Sequence, residues 1–102
     1  MSLKKQYLKT KDVCKVTFRL PKAAAPKAAA VHIVGEFNQW STVATPMKKL
    51  KSGEFKAVVD LQPGKAFQFR YLIDQTLWEN DWEADSYVKS DYGACENSVV
   101  EV

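Results

Sequence analysis

Between Phe67 and Ile73 the chain alternates strictly. Phe67, Phe69, Tyr71 and Ile73 fall on one side, and Gln68, Arg70 and Leu72 on the other. A period of two gathers apolar residues on one face only in an extended strand; in a helix the same residues would scatter around the axis. The pattern recurs. Cys14, Val16, Phe18 and Leu20 alternate with Lys15, Thr17 and Arg19, and Phe55, Ala57, Val59 and Leu61 with Glu54, Lys56, Val58 and Asp60. Lys51-Ser52-Gly53 has the composition of a hairpin turn, and Pro63-Gly64 the residue order of a type II turn. Pro46 to Leu50 reads as a short edge strand opened by its proline, and Ser98 to Val102 as the closing strand. Short strands punctuated in this way predict an all-β chain folded as an antiparallel sandwich. A length of 102 residues suffices for one core and leaves no room for a second.

Two segments stand apart from the alternation. Lys4 to Thr10 reads as a short helical turn or an unstructured arm, so a basic arm at 1–11 is expected ahead of a domain at 12–102. Pro21 to Ala30, with two prolines and two Ala-Ala-Ala runs, reads as a solubilising surface connection with one helical turn. Charge is divided unevenly: residues 1–30 carry eight Lys or Arg against Asp12 alone, a net +7, while 31–102 carry seven against eleven Asp or Glu, a net −4. Because the basic residues sit at a terminus and a loop while most aromatics lie in the acidic part, a solvated tail is expected. Neither nucleic acid nor membrane is an expected partner. No apolar run approaches the ~20 residues that span a bilayer, and Met1 to Asp12 lacks an apolar signal core, which predicts a cytoplasmic location. Cys14 and Cys95 are accordingly expected to be reduced and partly buried.

Catalytic and metal chemistry find little material. His32 is the only histidine and lies on the strand face opposite Val31 and Ile33, a surface or ligand-rim position. Asp81, Glu83 and Asp85 alternate as calcium ligands can, but an EF-hand loop counted from Asp81 meets Ser86 where it needs Gly and Tyr92 where it needs Glu. A solvated acidic loop is expected there. A sandwich this small also offers little walled cleft for a glycosidase carboxylate pair. No catalytic residue, metal ligand or cofactor is assigned, and the protein is not expected to be an enzyme.

Binding is better supplied. In Val31 to Ser41, Val31, Ile33, Gly35 and Phe37 form a core face, Gly35 marks a bulge or a close backbone approach, and Asn38-Gln39 turns the chain so that Trp40 falls in a loop. There it either folds back as a lid over the core or offers a flat apolar platform ringed by amides and hydroxyls. A pyranose ring fits such a platform, because its C–H face stacks on an aromatic while its hydroxyls seek hydrogen bonds.

Gly35-Glu36-Phe37-Asn38-Gln39-Trp40-Ser41 resembles the Gly-x-Phe-Asn-x-Trp signature of the family-48 carbohydrate-binding modules. That family includes the glycogen-binding domain of the AMP-activated protein kinase β subunit and the isoamylase-type N-terminal domains of branching and debranching enzymes. The resemblance runs from about Val13 to Val102. It implies an immunoglobulin-like β-sandwich of early-set type that binds α-glucan polysaccharide or oligosaccharide without catalysis, in the service of a glycogen-metabolism enzyme. In the family a Lys or Arg on the long strand, a Trp after the following turn and an Asn ahead of the last strand join the signature Trp. Arg70, Trp78 and Asn97 hold those positions beside Trp40. The chain departs from many relatives at the turn before the second Trp, where Asp74-Gln75-Thr76-Leu77 replaces Asp-Gly, and at Trp82, a third platform or core cover. Gly93 and Cys95 lie near the place of a sugar-threading Leu or Thr, and that contact is not carried over. The competing expectation is a protein-interaction scaffold of the same fold that has lost sugar binding, with Trp40 and Trp78 as interface anchors.

Overall fold

The computed structural model describes residues 3–90 and 96–102. Nine strands form two antiparallel sheets, and no α-helix occurs among the described residues. Sheet 1 runs β1 (Leu3–Tyr7), β2 (Cys14–Leu20), β5 (Phe55–Leu61), β4 (Lys48–Lys49). Sheet 2 runs β3 (Val31–Gly35), β6 (Ala66–Ile73), β9 (Glu96–Glu101), β8 (Ser86–Lys89), and β7 (Leu77–Glu79) also pairs with β6. This is the immunoglobulin-like sandwich that the alternation and the resemblance predict.

The inward residues of each strand build the core. Val16, Phe18, Leu20 and Phe55 of sheet 1 meet Ile33, Phe69, Tyr71 and Val100 of sheet 2, all at most 1% exposed. Phe18 stacks edge-on against Phe69 at 5.0 Å, and Phe37 closes the same cluster at 5.7 Å from Phe18. Gly64 takes a φ of 84° in the Pro63-Gly64 turn, the left-handed conformation that its place in a type II turn requires.

Five expectations need correction. Leu3–Tyr7 is neither helical nor unstructured: it pairs with β2 from Leu3↔Phe18 to Tyr7↔Cys14 and forms the edge of sheet 1. Leu3 is buried, Lys5 binds Asp85 at 2.6 Å, and the lysines that made the segment read as a tail are the charges with which edge strands discourage further pairing. The Pro21–Ala30 connection is not wholly solvated, since Ala25 and Ala28 plug into the core cluster. The segment at Pro46 serves both sheets. Thr45 O and Met47 N bond to β3, where the missing N–H of Pro46 costs nothing, before Lys48–Lys49 joins β5.

The fourth correction is the acidic loop. Asp81 is 2% exposed. Its carboxylate accepts from Tyr71 Oη at 2.6 Å and from Glu83 N at 2.8 Å, its own N–H donates to Ser98 Oγ, and its carbonyl accepts from Tyr87 Oη. Asp85 also accepts from Glu101 N. Asp81 is thus a buried and fully hydrogen-bonded carboxylate, while Glu83 and Asp85 are exposed as expected. Cys14 is free and fully buried rather than partly buried, and Cys95 lies outside the described residues.

Candidate functional site

The alternation that sends Phe69 and Tyr71 inward sends Gln68, Arg70 and Leu72 to the outer face of sheet 2. Register places Val34 beside Arg70, His32 and Trp78 beside Leu72, and Val99 beside Gln68. Val34, Leu72 and Val99 are buried although they point away from the core, so this outer face has an apolar floor of its own. A cleft of about 740 Å³ opens over part of this face, with Val34 in its lining.

Two loops bring indoles to its rim. β3 ends at Gly35, whose Cβ, were there one, would lie 2.6 Å from Gln68 O and 2.8 Å from Phe69 Cβ. This is the close backbone approach. The turn Glu36–Asn38 follows, and Asn38 fastens it: Oδ1 accepts from Gly35 N, while Nδ2 donates to Ile33 O and Thr45 Oγ1, each at 3.0 Å. Gln39 and Trp40 then take φ values of 57° and 56°, and Trp40 N returns to Gly35 O at 2.8 Å. The second indole, Trp78, stands on β7 after a turn in which Asp74 and Gln75 take φ values of 51° and 61°. Among the described residues these four are the only non-glycines with positive φ, and all lie in the two loops flanking the cleft. A bulky residue such as Trp adopts this conformation only where its surroundings impose it, and such strain concentrates at functional sites.

All four residues singled out from the sequence line this cleft. Trp40 and Trp78 are 39% and 47% exposed and neither belongs to the core cluster. Arg70 sits where the partner of β6 changes from β9 to β7. Its Nε donates to Glu96 O at 3.3 Å, and its guanidinium carbon lies 6.0 Å from the Trp78 ring centre. Asn97 is 7% exposed and donates from Nδ2 to Gln68 Oε1 at 3.0 Å, which puts it in the floor rather than on the rim. Gln68 lines the cleft and was missed, although the alternation that exposes Arg70 exposes it too. Glu36 also lines it and braces the wall by accepting from Gln68 N at 2.7 Å. Trp82 is exposed and does not line the cleft. His32 is half-buried beside it, its Nδ1 3.2 Å from Gln75 Nε2. Among the described residues no group of three His, Cys, Asp or Glu could hold a metal ion, and no helix is long and apolar enough to cross a membrane.

Aromatic platforms interleaved with amides on one face of an immunoglobulin-like sandwich are the build of a carbohydrate-binding module. The sequence profile of carbohydrate-binding module 48, the isoamylase N-terminal domain, matches residues 9–88, and the chain belongs to that family of non-catalytic binding modules. A comparison with curated proteins gave no significant match.

Proposed function

We propose that the chain binds α-glucan, as glycogen, starch or maltooligosaccharide, on the outer face of sheet 2. Trp40, Arg70, Trp78 and Asn97 contact the sugar, and the module brings a glycogen-metabolism enzyme to the polymer. The observation that carries this reading is the pair of half-exposed indoles that open on one cleft and serve no core. Each indole stacks on a glucose ring, Arg70 donates to hydroxyls, and the amide of Asn97 can donate and accept. So shallow a platform holds a single glucan segment only weakly, roughly in the micromolar to millimolar range.

Affinity electrophoresis through a glycogen-loaded gel tests the reading. Trp40→Ala and Trp78→Ala should each weaken binding at least about tenfold, or 1.4 kcal/mol. Their melting temperatures should stay near the parent's, whereas truncating a core aromatic would cost ~3–5 kcal/mol. Parent-like retention of both variants would defeat the assignment. A stable protein complex that is lost in these variants and is indifferent to maltoheptaose would put the interaction scaffold in its place.

A further inference from the structure

The loop carrying Trp40 and the hairpin carrying Trp78 come from distant parts of the chain, and one side chain joins them. Gln75 Nε2 donates to Thr42 O at 2.8 Å and faces His32 Nδ1 at 3.2 Å. No other hydrogen bond links the two loops among the described residues. We propose that Gln75 is a positioning residue for the cleft, its amide fixing the two indoles relative to one another before sugar arrives. This rests on reading the cleft as the glucan site.

The amide can lie only one way round. One N–H bond of Nε2 serves the Thr42 carbonyl, and the other is within reach of His32 Nδ1, which accepts it in the tautomer that leaves that nitrogen bare. Flipped, it would set Oε1 against Thr42 O, with no donor between them. The anchor is itself fixed, because Asp74 Oδ1 accepts from Ala29 N and Ala30 N, both at 2.9 Å, and Asp74 N donates to Ala30 O. The hairpin is thus tied to the body of the sandwich, and Gln75 extends that hold to the Trp40 loop. Thr42, the residue it holds, lines the cleft two positions past Trp40. The backbone at Gln75 argues the same way. A φ of 61° suits glycine better than glutamine, so the side chain stands where the backbone would be easier without one. Ordering the loop in advance removes a cost that binding would otherwise bear.

Gln75→Gly separates this role from a merely structural one, since it relieves the backbone and removes the amide together. The melting temperature should equal or exceed the parent's, while affinity for maltoheptaose falls about three- to tenfold through lost preorganisation. Gln75→Asn, which tolerates left-handed backbone but is one methylene too short for Thr42, should show the same loss. In the free protein, NMR relaxation of the Trp40 indole N–H and the Val43 amide should report greater mobility in both variants. Parent-like affinity in both variants, with the parent binding, would overturn the proposal, as would parent-like mobility of the free loop. A parent that does not bind maltoheptaose at all would instead overturn the glucan reading, and the mobility measurement would still decide whether Gln75 holds the loop.

Discussion

Tyr71 and Asp81 place a phenol and a carboxylate 2.6 Å apart where almost no solvent reaches. Burial first, then the negative charge of Asp81 and its hydrogen bond, and then Tyr87, push the Tyr71 phenol well above its usual value. A raised folded-state pKa means that the neutral phenol stabilises the fold fully below the unfolded value of about 10, and that this stability is lost as pH rises beyond it. The urea midpoint should therefore fall progressively above about pH 10, and Tyr71 should ionise only as near-UV dichroism is lost. Tyr71→Phe should flatten that alkaline limb while lowering stability near neutrality by about 1–3 kcal/mol, because Asp81 loses a donor. An unchanged alkaline slope would show that another group controls it. The outward direction of Arg70 was legible in its alternation. The burial of Asp81 was not, since its partners Tyr71 and Ser98 lie 10 and 17 residues away and arrive only by strand pairing.

At the scale of elements, the β3–turn–Trp40 segment shows why the signature has its spacing. Gly35 lets the end of β3 press against β6, Asn38 ties the turn to both Ile33 and Thr45, and the backbone that results presents Trp40 to the cleft. The sequence revealed the strand, the close approach and the loop, but not the stapling by Asn38, which depends on where Thr45 returns. Asn38→Asp isolates that stapling: it keeps the acceptor for Gly35 N but sets a carboxylate oxygen against Ile33 O, so urea unfolding should show a loss of about 2–3 kcal/mol. Glucan affinity should fall with it, because Trp40 loses its support; full affinity in a destabilised variant would show that the turn and the site are uncoupled. β1 was hidden for the opposite reason. Its alternation of Leu3, Lys5 and Tyr7 carries one buried apolar residue, too weak a pattern to read until β2 is seen beside it.

At the scale of the whole molecule, three cations from distant parts of the chain meet on one face. Register sets Arg19, Lys56 and Lys48 in one row over three strands on the outer face of sheet 1, the side away from the cleft. Glu54 answers part of it, 3.6 Å from Arg19, and Asp60 lies further along beside Lys15. Of the cations in the N-terminal portion, Lys4, Lys5, Lys15 and Arg19 stand on the paired strands β1 and β2 rather than in a free arm. Like charges directly opposite one another on adjacent strands destabilise a sheet, and Lys56 has such a neighbour on each side. Lys56→Glu turns two repulsive pairs into attractive ones. It should raise stability by about 0.5–1 kcal/mol in dilute buffer, with the gain shrinking as added salt screens the exposed pairs. Glycogen retention should be unchanged in the same variant, because the cleft lies on the other sheet. Weaker retention at undiminished stability would mean that the basic face of sheet 1 takes part in binding after all, and would return a polyanion to the candidate partners.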